Sequence, residues 1–219
     1  MTPDDARALF LPIHGAIGIV TLIGGFGALI AKKGGAAHVW LGRLFAGGMA
    51  LVIVAAIPVL MATENLFLTG MGSFAGYMTW TGWRIARAKN ASGTATDLAV
   101  STAMIVVGLA FAAYGALALL RGSGLGMVAL AMGLGAAAFG RKHVRWFRAP
   151  VATRTPWVGE HLGSIGGGLI AGLTAFGAAA GTNYLPQVPE PVYWLAPTVV
   201  LSPLLQWASA RYRTGGNPG

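Results

Sequence analysis

The sequence predicts an all-α integral membrane protein, a bundle of seven transmembrane helices with the N-terminus outside and the C-terminus inside. Three observations predict it. First, 55% of the 219 residues are hydrophobic and 10% are charged, where a soluble domain carries about 25% charged residues. Second, the charges stand between long uncharged stretches, and apolar runs of this length are membrane-span candidates. Third, the basic residues are distributed unequally between the two sides that such spans would define.

The spans fall at about 9–31, 40–61, 66–86, 98–120, 122–140, 161–181 and 192–210, within a single domain covering 1–219. The first lies between Arg7 and Lys32, and the second between the start AAHVWLGR and Glu64. The third ends at Arg87 and Lys89, ahead of the turn-like ASGT. The fourth runs from Asp97 to Arg121, and the fifth from Arg121 to the basic run RKHVRWFR, read as following the helix. Pro150 and Pro156 mark the connection to the sixth, and NYLPQVPEP closes it, because proline cannot continue a helix. Pro197 and Pro203 fall inside the seventh and are expected to kink or loosen it.

With the N-terminus outside, Lys32, Lys33, Arg43, Arg84, Arg87, Lys89, Arg141, Lys142, Arg145, Arg148, Arg154, Arg211 and Arg213 fall inside, and only Arg7 and Arg121 outside. That asymmetry in short loops sets the orientation, and it explains the +9 net charge through anionic lipid rather than nucleic acid. The expected setting is a bacterial inner membrane, with lipids as partners and a homo-oligomer or other membrane proteins as further candidates. The seven tryptophans fall at or near span ends, where an amphipathic ring anchors at the interface. The start MTPDDARALF lacks the positive region of a signal peptide, so the first helix is expected to remain.

The chain has 34 glycines and no cysteine, which excludes thiolate nucleophiles and cysteine-held clusters. Small residues four apart predict flat packing strips at Gly24/Ala28, Gly72/Gly76, Gly163/Gly167 and Gly168/Gly172, and they make the sixth helix the expected centre of the bundle. No GxSxG elbow, phosphate loop or dinucleotide fingerprint sits in a suitable setting, which leaves an enzymatic role undetermined.

The polar residues carry what function the sequence offers. His14 is the sole ionisable group within the first span, and such a residue is a functional candidate by default. His38, His143, Glu160 and His161 all fall on the inner side. His38, His143 and His161 are metal-ligand candidates, with Glu160 beside them, because imidazole and carboxylate suit zinc, iron or copper. Two histidines would also serve a haem. Glu160 and His161 with Asp97 offer a proton relay, although Asp97 in GTATDL equally suits a helix start. Arg84 is expected to reach inner headgroups, an anionic lipid or a quinone.

The segments HGAIG (14–18), KKGGAAHVWLGRLFAGGM (32–49), EHLGSIGGGLIAGLTAF (160–176) and WLAPTVV (194–200), with Asn183 between the last two, resemble the DUF2306-type group of uncharacterised bacterial polytopic membrane proteins. The resemblance implies that His14, His38, Arg43, His161 and Asn183 are motif positions. It implies no established reaction. Three functions follow as expectations: handling of a small molecule, lipid or ion; a haem-, metal- or quinone-dependent redox protein; or a structural or assembly subunit of a membrane complex.

Overall fold

The computed structural model describes residues 2–213, with the side chains of 180, 183 and 211–213 outside the described set. Among the described residues the fold is all-α, with seven long helices: α1 (Pro3–Ile30), α2 (Ala36–Thr63), α3 (Leu66–Ala88), α4 (Ala95–Leu120), α5 (Gly124–Arg148), α6 (Trp157–Tyr184) and α7 (Glu190–Arg213). Five are long and apolar enough to cross a membrane: α1, α2, α4, α5 and, through Ala179, α6. Their outward faces carry large apolar side chains such as Ile23, Leu51, Val54, Val106 and Leu109. Exposure on this scale suits a lipid solvent and fits a multi-pass membrane protein. α3 is less apolar, with buried Thr79 and Thr81 among Phe74, Tyr77, Met78 and Ile85. A helix enclosed by protein has less need of an apolar surface.

The chain divides into two compact units, Met1–Gly72 and Ser73–Gly219. In the first, α1 and α2 form an antiparallel hairpin. Thr2 and Asp5 make a reciprocal capping box at the start of α1, with Pro3 in the first turn, where its missing N–H costs nothing. Gly34, at φ +76°, makes the turn into α2. The Lys33 ammonium caps the end of α1 by donating to the Ala28 and Leu29 carbonyls, and partial burial holds it below the usual lysine pKa. The helices touch closely at Gly24, where an added Cβ would meet the Phe45 amide nitrogen at 3.2 Å, and at Gly48, which lies against Thr21.

In the second unit, α4 and α5 make the tightest seam. Gly108 and Gly115 on α4 face Gly133 and Gly126 on α5, and Gly140 faces the Ser101 carbonyl. A Cβ on Gly133 would stand 2.7 Å from the Gly108 carbonyl oxygen, and one on Gly126 2.7 Å from that of Gly115. The glycines recur every seven residues, two helical turns, so they stay on one line along each helix. Here the structure departs from the expectation. Of the expected strips, Gly72 and Gly163 face open space while Gly24, Gly167 and Gly168 meet neighbouring helices, and the longest line of backbone approach runs between α4 and α5. α6 still packs closely: Gly82 of α3 lies against the Ile165 backbone, and Gly166 against Leu205 of α7.

Two further expectations are corrected. The basic run after the fifth span is helical to Arg148, because Gly140, His143, Trp146 and Phe147 form a buried stripe at helical spacing, with Arg141, Arg145 and Arg148 turned out. Trp146 is 6% exposed and donates its indole N–H to the Thr155 carbonyl, so it anchors protein rather than headgroups. As read from the sequence, α7 is a helix with Pro197 and Pro203 inside it.

Candidate polar centre

His143 sits at the middle of a buried polar cluster built from α3, α5 and α6. Its ring is 0% exposed. Nδ1 is hydrogen-bonded to the Tyr77 hydroxyl at 2.6 Å, and Nε2 to the Ser164 hydroxyl at 3.0 Å. A neutral imidazole has one N–H and one bare nitrogen, so one of these hydroxyls accepts from the ring and the other donates to it. Phe139 packs beside the imidazole, and Phe74 against Phe139, screening the cluster. The Thr81 and Ser101 hydroxyls are buried in the same unit and make no hydrogen bond. Three helices thus direct hydroxyls or imidazole toward one place.

At the basic end of the same unit, Glu160 begins α6 one turn from Ser164 and on the same face. Its carboxylate pairs with Lys142 Nζ at 2.6 Å and accepts from the Thr155 hydroxyl at 3.0 Å. The connection after α5 folds over this end. Arg154 stacks on Trp146 with its guanidinium 4.5 Å from the ring centre and donates to the Ala91 carbonyl.

Asp97 is a helix-start acid. Thr94 and Asp97 form a capping box on α4, and Arg84 clamps the carboxylate through Nε at 2.9 Å and Nη2 at 3.0 Å. Arg84 is therefore committed to Asp97 rather than to a headgroup, and Glu160 is committed to Lys142 and Thr155.

The remaining histidines share one geometry. Nδ1 of His14 donates to the Val52 carbonyl, that of His38 to Ala28, and that of His161 to Gly82, each at 2.9 Å. A carbonyl oxygen only accepts, so Nδ1 carries a proton in all three. His38 ties the α1–α2 hairpin near its turn and His14 ties it at mid-length, fourteen residues or about 21 Å of helix rise apart along α1. Arg43 is exposed on α2. The Asn183 side chain lies outside the described residues.

Among the described residues no group of three or more His, Cys, Asp or Glu side chains is gathered to hold a metal ion. His143, one of the metal candidates, uses both ring nitrogens on hydroxyls. Sequence reasoning missed Tyr77 and Ser164. The available signal was the helical spacing Gly140–His143–Phe147, which turns His143 inward.

No family model matches the chain, and no curated protein or solved structure matches it.

Proposed function

We propose that the chain is a seven-span bacterial inner-membrane protein, N-terminus out and C-terminus in, of the DUF2306-type group that its motifs resemble. Its role is to handle a small molecule or ion through the polar centre around His143. The distribution of the basic residues supports the orientation. The observation that carries the function is the Tyr77–His143–Ser164 chain, because an ionisable group sealed inside a membrane bundle is costly and marks ion or substrate pathways.

The cysteine-free sequence offers a direct test. Ser164→Cys places one thiol beside His143. In reconstituted vesicles it is expected to react with a small charged thiol reagent, because a handled solute needs water-accessible passage to this level. A thiol that stays unmodified with reagent on both sides, in protein that still elutes as folded, would defeat the solute-pathway reading.

A redox role is the second reading, favoured by the shared protonation of His14, His38 and His161: Nδ1–H bonded to a carbonyl is the arrangement that orients a ligating imidazole. It predicts a reducible Soret band or stoichiometric metal in purified protein. A colourless, metal-free preparation that gains neither haem nor metal on addition would exclude it.

A further inference from the structure

We propose that the outward face of α5 is a binding site for an anionic phospholipid. Arg141, Arg145 and Arg148 take the headgroup phosphate, and the apolar stripe that precedes them, with Met127, Leu134 and Ala138, seats the acyl chains. The site is separate from the polar centre and does not depend on it.

At about 100° per residue, these six positions lie within about 80° of one another around the helix, on the side opposite His143. All six are exposed, Met127 at 48% and Leu134 at 53%. The stripe is therefore apolar up to Ala138 and arginine from Arg141 onward. The change falls at the depth of a bilayer surface. From Gly124 to Arg141 is seventeen residues, about 26 Å of helix rise, close to the roughly 30 Å of a hydrocarbon core. A phospholipid has the same division along its length. One molecule lying along α5 meets apolar surface with its chains and guanidinium with its phosphate.

This ridge differs from the general excess of basic residues at the same end. Its neighbours are engaged within the protein: Arg84 by Asp97, Lys142 by Glu160, Arg154 on Trp146, Arg87 over Trp83 and Lys89 over Trp157. Among the described residues, Arg141, Arg145 and Arg148 pair with no carboxylate. They stand three and four residues apart, so their like charges repel along one line, and an anion laid across them relieves that repulsion. Membrane sidedness requires a number of basic residues and not their alignment. The dipole of α5 favours cations in its last turn, which holds Arg145 and Arg148 but not Arg141. Guanidinium also matches phosphate with a two-pronged hydrogen bond.

The test uses the full chain in phosphatidylcholine liposomes at physiological salt. The sequence has no cysteine, so Ala138→Cys carries a single fluorophore on this face. The probe is phosphatidylglycerol with brominated chains, which quench on contact, and brominated phosphatidylcholine is the reference. Phosphatidylglycerol is expected to reach half-quenching at about a tenfold lower fraction than phosphatidylcholine. Arg141→Gln/Arg145→Gln/Arg148→Gln should bring the two lipids to within about twofold, and Arg145→Gln alone should lower the preference about threefold. Lys32→Gln/Arg87→Gln/Lys89→Gln removes the same charge from elsewhere and should keep the preference. Equal quenching by both lipids in the unsubstituted ridge, or an unchanged preference in either α5 variant, would overturn the site. A loss as large in the charge-matched control would also overturn it, in favour of diffuse attraction by the whole basic end.

Discussion

Replacing Asp97 by alanine is expected to destabilise the protein by about 3–5 kcal/mol, the usual cost of leaving one partner of a buried ion pair alone. Asp97 is 0% exposed and holds three things together: the Arg84 guanidinium, the Thr94 hydroxyl and the Thr94 backbone N–H. Alanine removes the reciprocal half of the capping box and the counter-charge together. Asp97→Asn keeps the volume and part of the cap but not the charge, and should fall between. The double variant Arg84→Met/Asp97→Leu should recover much of the loss, since an apolar pair of similar volume is often neutral in such a place. Unfolding in mixed detergent, followed by helical circular dichroism, measures all four proteins. A loss below about 1 kcal/mol for Asp97→Ala would place the pair among exposed ones, which contribute little.

The second large effect is expected at Gly133. Leucine there must enter a space already occupied by the Gly108 carbonyl and the Ala112 backbone. Overpacking commonly costs about 1–3 kcal/mol, but here both obstacles are backbone and no side chain can swing aside. The helices must separate, and separation removes the close contact that holds membrane helices together. Gly133→Leu should abolish the folded species by size-exclusion, and Gly133→Ala should weaken it. Gly135→Ala, two residues away and facing open space, should be neutral or slightly stabilising, because alanine is the better helix former. Equal behaviour of the two alanine variants would show that the seam does not hold α4 to α5.

Much of the architecture was legible because lipid imposes simple rules. Long uncharged stretches located the helices, and GTATDL announced the cap on α4 before Asp97 was seen in place. The exceptions have physical reasons. RKHVRWFR read as a charged loop because its composition outweighed its periodicity. Its charges lie on one side of a helix and its His143, Trp146 and Phe147 on the other. The α4–α5 seam was written openly as glycines seven apart, a spacing that a search at four does not detect. The polar centre was the least legible part. Tyr77 and Ser164 are unremarkable residues in their own helices, and they meet His143 across 66 and 21 positions of sequence. Only the packing of three helices gives them a common task.

The two crossed histidine bonds of the first hairpin have a consequence for how the chain is made. His14 reaches Val52 and His38 reaches Ala28, so the same alignment of two antiparallel helices satisfies both. A slip of one turn would carry both imidazoles off these two carbonyls at once. The hairpin therefore indexes itself, and everything it needs has been synthesised by residue 52.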